Sequence, residues 1–380
     1  MIFRGSYTNK MSVTLKIVNI PTIVHRFLTA FIITGLLTVL VSVPAGAQIG
    51  GEATYKILTL TSSARVAALG GNVAAIKDND ITLTLTNPSL ITPEMNGNMA
   101  LSYVNYYNGS GINLGYFMYS RNFEKAGSFV GSLQFMSYGK FTEADETGTI
   151  IGDFTASDYA LNIGWGRKLT DRFFIGANAK LIYSSYYTYN SFGMAVDVAG
   201  TYLSKSELFT ASLLARNIGS QIDPYVTGKY EPLPFDLQIA LSQKFKHIPF
   251  RLHLILTNLT RWDLAYTDST DANNQVNQLT GKIDEKSDLE KFGDNLMRHV
   301  VIGGEVTIAK VLSARIGYNY QRRQEMKLPS KAGMAGFTFG IGCRVKMFNL
   351  SYTRSVAQAG GNNPNYLTLM VNLGGFSKKN

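Results

Sequence analysis

Few residues in this 380-residue chain are spaced to do chemistry together. His247, His253 and His299 lie far apart, and no H-E-x-x-H or Cys-His spacing joins them into a metal site. The single cysteine, Cys343, has no partner for an intramolecular disulfide. No serine occupies a G-x-S-x-G elbow, although a triad gathered from separate strands would leave no such spacing. Gly70-Gly71, Gly303-Gly304 and Gly340-Ile341-Gly342 match neither a P-loop nor a dinucleotide fingerprint. These patterns predict a non-enzymatic chain without cofactor, and no basic run of nucleic-acid type occurs.

Charges placed at strand-like positions carry more information. Asp158, Lys180, Asp197, Glu305, Arg315 and Arg344 each fall on the polar face of an alternating segment. Both signs are represented equally, which suits ion pairing across an enclosed space; lining a channel is the other reading. His253 projects to the same side if Leu252, Leu254 and Leu256 face outward.

The elements that position these residues are strands. Successive side chains of a strand point to opposite faces, so alternation separates two environments. In Tyr366 to Leu373, Leu367, Leu369, Val371 and Leu373 share one face, and Tyr366, Thr368, Met370 and Asn372 the other. About fourteen such segments run from Asn98 to Leu373. They lie near 98–107, 111–122, 127–137, 156–168, 172–185, 189–203, 208–217, 234–246, 249–257, 298–309, 312–321, 335–346, 348–356 and 364–373. Alternation is weakest at 98–107 and 208–217.

The connections sort by parity. Even-numbered ones are short, such as Glu124-Lys125-Ala126 and Leu169-Thr170-Asp171. The long ones, Tyr138 to Thr155, Ile218 to Leu233, Asn258 to Met297 and Arg322 to Met334, are all odd-numbered. Outer-membrane barrels show this asymmetry, with short periplasmic turns and longer external loops. The expected fold is all-β: a transmembrane antiparallel β-barrel of about fourteen strands, with both termini periplasmic. Tyr103, Tyr106, Tyr107, Tyr183, Tyr186, Tyr187 and Tyr189 are expected in an aromatic belt at its outer edge.

Two segments lie outside the alternation. Residues 1–47 read as a signal peptide: a basic stretch, an apolar run from Phe27 to Val43, then Ala45-Gly46-Ala47. Its four Lys or Arg and no acid leave the mature chain near +6 rather than +10. Residues 48–97 are too many for a linker, and are read as a plug entering the lumen or as a periplasmic extension. The barrel is assigned to 98–376 and a short tail to 377–380. Within the longest loop, 258–297, Leu289, Phe292, Leu296 and Met297 fit one face of a short helix. Trp262, Asp263, Tyr266 and Phe292 are candidate partner contacts, with packing on the barrel rim as the alternative.

Ser63-Ala64-Arg65, Ala68-Leu69-Gly70-Gly71 and Asn87-Pro88-Ser89-Leu90 resemble the N-terminal region of FadL-like barrels of Bacteroidetes, the PorV/PorQ group of type IX secretion. Ser89 stands where that group usually has Ala. Thr260 to Leu264 and Phe292 to Val306, with Arg298 to Glu305 inside it, resemble its PorQ branch more narrowly. The resemblance implies a fourteen-stranded barrel with an N-terminal plug. It also implies a scaffold in the attachment complex, holding a PorZ-like surface protein and through it the PorU/PorV sortase complex. Outer-membrane lipid and lipopolysaccharide would be the surrounding partners. A FadL-like transporter of hydrophobic small molecules remains the alternative.

Overall fold

A computed structural model describes residues 53–107, 109–265, 287–309, 311–327, 333–356 and 363–374. The signal assigned to 1–47 and the tail at 377–380 lie outside these residues, as does Tyr266.

Fourteen strands form one closed antiparallel barrel. They are β1 (Asn98–Asn105), β2 (Ile112–Phe123), β3 (Gly127–Ala144), β4 (Ile150–Lys168), β5 (Phe173–Tyr186), β6 (Tyr189–Leu203), β7 (Phe209–Asp223), β8 (Asp236–Lys244), β9 (Phe250–Leu256), β10 (Val300–Ile308), β11 (Leu312–Asn319), β12 (Phe337–Val345), β13 (Phe348–Ser355) and β14 (Asn365–Asn372). Each pairs with its sequence neighbours, and β1 closes the ring by pairing with β14. Closure leaves no unpaired edge, which a sheet in hydrocarbon requires.

The outer face is apolar. Leu133, Leu161, Ile163, Leu181, Val196, Leu213, Ile316, Ile341 and Leu350 are all exposed there. In a water-soluble protein such a belt would be a severe liability, whereas lipid is its natural solvent. The chain is a transmembrane barrel of the outer-membrane type. Tyr352, Tyr103, Phe135, Tyr159 and Tyr183 fall on one register row from β13 to β5. Near the long-loop end, three of these tyrosines donate across the strand to asparagine: Tyr103 to Asn113 at 2.6 Å, Tyr183 to Asn190 at 3.1 Å and Tyr352 to Asn365 at 2.8 Å. An apolar ring with a hydrogen-bonded hydroxyl suits the membrane edge.

Several sequence expectations need correction, among them the strand expected over 312–321, which ends at Asn319 where a helix begins. Tyr138 to Thr155 is not an irregular loop: β3 and β4 continue into a long hairpin, and Phe141 stacks on Phe154 at 5.2 Å. A bulge between Ser137 and Lys140 shifts the alternation and hides the continuation. β7 likewise runs past residue 217, because a bulge at Arg216 and Asn217 changes its phase. Tyr106 and Tyr186 leave the expected belt. Tyr186 faces the lumen and donates to Asp158, and Tyr106 packs edge-on against buried Tyr366.

Residues 53–97 fill the lumen. Helix α1 (Ala64–Ala68) is capped by Ser63, whose hydroxyl accepts from Val66 N, and packs against β11 to β14. The Pro88–Leu90 turn is capped by Asn87 and packs against β4, β5 and β6. Glycines in the wall allow this approach. A Cβ on Gly317 would lie 2.0 Å from Gly70 N, and one on Gly176 would lie 2.3 Å from the Pro88 carbonyl carbon.

Candidate functional site: a clamped plug and an exposed rim

The lumen segment is tied to the wall by polar side chains at inward positions. Thr368 Oγ1 accepts from Ala64 N at 2.8 Å, and Thr353 donates to Ala64 O at 2.6 Å. Thr338 accepts from Gly70 N at 3.2 Å and donates to Ala68 O at 3.0 Å. His253 Nε2 lies 2.8 Å from Leu69 O. On the opposite wall, Thr201 meets Ser89 Oγ at 2.6 Å and accepts from Asn87 at 3.1 Å. Inward threonines therefore satisfy plug backbone groups that would otherwise be buried without partners.

An ion network adds the strongest tie. Plug residue Arg65 reaches Asp78 at 2.7 Å and Asp80 at 3.0 Å within the plug, and Glu305 of β10 at 2.9 Å. Glu305 also pairs with Arg315 of β11 at 2.6 Å and Arg251 of β9 at 3.4 Å. Arg251 returns to Asp78 at 3.1 Å. Three guanidiniums thus balance three carboxylates, a neutral cluster that bridges plug and wall. Burial opposes charge on Asp78, but Arg65 and Arg251 outweigh it and hold its carboxyl well below the ordinary carboxylate range. Nearby, burial pushes the Lys77 ammonium down to about 8. Its Nζ lies 3.9 Å from the Phe174 ring centroid.

The six charges singled out in sequence divide into separate groups. Glu305 and Arg315 belong to the plug network. Lys180 and Asp197 pair with each other at 2.7 Å, and Lys180 also donates to Asn217 at 2.8 Å. Asp158 is held by hydroxyls, accepting from Tyr138 at 2.7 Å, Tyr186 at 2.9 Å and Ser184. Arg344 does not join them. It is exposed at the end of β12, where the strand leaves the filled lumen, and no ion pair to it is found among the described residues. Lys180 and Arg216 line a narrow lumen pocket with Leu58, Leu60, Leu85, Ser62, Thr86 and Gln134. It has room for about one water.

Sequence reasoning missed Arg65, Asp78, Asp80 and Arg251 as members of the cluster. Arg251 was legible, since it shares its strand face with His253. The others lie in turns and a short helix, where no periodicity reports direction.

The long-loop end carries the other candidate region. Helix α2 (Asp288–Arg298) begins at a capping box, with Ser287 Oγ accepting from Glu290 N and the Glu290 carboxylate accepting from Ser287 N. Leu289, Phe292, Leu296 and Met297 are all exposed on it. Trp262 lies with its ring centroid 5.1 Å from Phe292 and 5.4 Å from His299. His299 Nδ1 is 2.7 Å from Thr257 O and its Nε2 is 3.1 Å from Trp262 O, so this histidine holds the loop onto the barrel. Asp263 is exposed beside Trp262 and accepts from Ala265 N.

No family model matches the chain, and no curated protein matches it. Several solved structures share its outline at low identity. The Ralstonia pickettii toluene transporter TbuX has a TM-score of 0.48 at 11% identity, covering 83% of this chain and 97% of its own. The Pseudomonas putida toluene transporter TodX has a TM-score of 0.46 at 13% identity, covering 82% and 96%. A Pseudomonas aeruginosa FadL homologue has a TM-score of 0.44 at 10% identity, covering 83% and 98%. The barrel assignment itself comes from the chain's own strand pairing, which closes fourteen antiparallel strands around a filled lumen.

Proposed function

We propose that this chain is a non-enzymatic outer-membrane scaffold that holds a protein partner at its long-loop end. The observation that carries this reading is the clamped lumen. A plug bonded to strands on opposite walls, through buried ion pairs and threonine contacts, favours a rigid support over an open pore. The residues resembling the PorV/PorQ group agree with it. Ser63-Ala64-Arg65 and Asn87-Pro88-Ser89 are the plug's anchoring points, and Trp262, Arg298 and His299 build the rim. On that resemblance the partner is a PorZ-like surface protein beside the PorU/PorV sortase complex, where cargo is coupled to lipopolysaccharide. Removing the chain from cells should release that partner from the surface into the medium. Unchanged surface retention would reject the scaffold.

A second reading, passage of small hydrophobic molecules, is favoured by one observation. The β7 bulge puts Arg216 on a small lumen pocket where Leu58, Leu60 and Leu85 stand beside Ser62, Thr86, Gln134 and Lys180, and a bulged strand is where a lateral opening would form. It would give this chain the activity named for the toluene transporters. A hydrophobic molecule bound to the isolated barrel would support it.

A further inference from the structure

We infer that the apolar face of α2 rests in membrane lipid, at the boundary between headgroups and acyl chains. This goes beyond the scaffold reading and does not depend on it. Trp262 and Phe292 are thereby reassigned from partner contacts to lipid contacts.

The helix is built inside out for a protein surface. Leu289, Phe292 and Leu296 fall on one face by helical spacing, and Asp294 and Arg298 on the opposite one. A helix at a protein surface normally turns its apolar stripe inward. Here the polar face turns inward. Arg298 pairs with Asp294 at 2.8 Å and donates to Gln321 at 3.2 Å, and Tyr320 donates to Asp294 at 2.7 Å. Tyr320 and Gln321 open helix α3 (Tyr320–Met326), which follows β11 directly. That helix leans over the lumen. Its Arg322 donates to Ser355 at 3.4 Å and lies against plug residue Gly71. With α3 toward the barrel axis, the opposite face of α2 points radially outward.

The height of the helix fits as well. One residue, His299, separates α2 from β10, whose early outward residue Ile302 belongs to the exposed apolar belt. Leu296 therefore continues that belt about one helical turn beyond the strands. Trp262 lies on Phe292 at the same end as the tyrosines bonded to Asn113, Asn190 and Asn365. An amphipathic helix in the interface places its apolar side at this depth. Exposure of 80% at Leu289 and 53% at Phe292 shows how little of the face is covered by the described residues.

Full-length mature protein in a Cys343→Ser background can test this. Single cysteines replace Leu289, Phe292 or Lys291 and carry an environment-sensitive fluorophore. The protein is refolded into phosphatidylcholine vesicles with or without chain-brominated lipid, and folding is checked by heat-modifiable gel mobility. Labels at Leu289→Cys and Phe292→Cys should be quenched by bromine and protected from iodide, and Lys291→Cys should show the reverse. Quenching of all three by iodide alone would overturn the inference. So would a label shielded from both quenchers, which would put protein on the face. Should Phe292→Cys not fold, Leu289→Cys suffices, because its side chain packs on little.

Discussion

The lumen plug and the rim helix α2 solve opposite problems. In the plug, charges and backbone polar groups are taken out of water, and partners meet them: Arg65 touches three carboxylates, and Ala64 is bonded through both its N–H and its carbonyl. In α2, apolar groups are turned out, and few of the described residues cover Leu289 or Phe292. Each region is built for a different solvent. Polar satisfaction makes the plug part of the barrel's fold, whereas an uncovered apolar face marks a surface that meets something outside the described chain.

The largest effect should come from breaking the plug network. Glu305→Leu leaves Arg65, Arg251 and Arg315 together without their shared carboxylate, a loss of about 3–5 kcal/mol for a broken buried pair. The unfolding midpoint by heat-modifiable gel mobility should fall sharply, and residues 53–97 should become open to protease. Unchanged mobility would remove the network from the account. Next, Gly317→Ala forces a Cβ toward Gly70 N and should cost about 1–3 kcal/mol by the same assay. It should loosen the plug without touching a charge.

Acid separates the two regions without mutation. Asp78 gives up its proton at lower pH in the folded barrel than in the unfolded chain. Its contribution is therefore complete above about pH 4 and is lost as pH falls through the folded value. Lys77 works the other way. Its folded value of about 8 lies below the ordinary 10.5, so burying it costs stability below about pH 8, and the cost fades as pH rises between those values. Protease access to the plug should rise in acid, while access to α2 should not follow it. The smallest effect belongs to Leu289→Ser. In detergent it should change the unfolding free energy by less than about 0.5 kcal/mol, because that side chain packs on little. A large loss there would mean that α2 is part of the core.

Much of the barrel was legible because alternation reports two solvents directly. Tyr366 to Leu373 reads cleanly for that reason. The sequence pattern failed where one extra residue changes the phase, at Tyr138 and Gly139 in β3 and at Arg216 and Asn217 in β7. It also failed at α3, which continues β11 behind the Asn319 cap without a break that composition shows. The inward charges were readable one at a time, but their grouping was not. Arg65 and Arg251 meet Glu305 from residues 240 and 54 positions away, and nothing in spacing predicts such contacts. The apolar stripe of α2 was visible from Leu289, Phe292, Leu296 and Met297. Its outward direction became clear only with Tyr320 and Gln321 against its polar side.

The scaffold claim is tested most directly by isolating the barrel gently from its own membrane after brief crosslinking and identifying what accompanies it. The expected result is a surface protein bound at the long-loop end and a lumen still occupied by residues 53–97. A bound fatty acid or other hydrophobic molecule, with no protein partner, would contradict it.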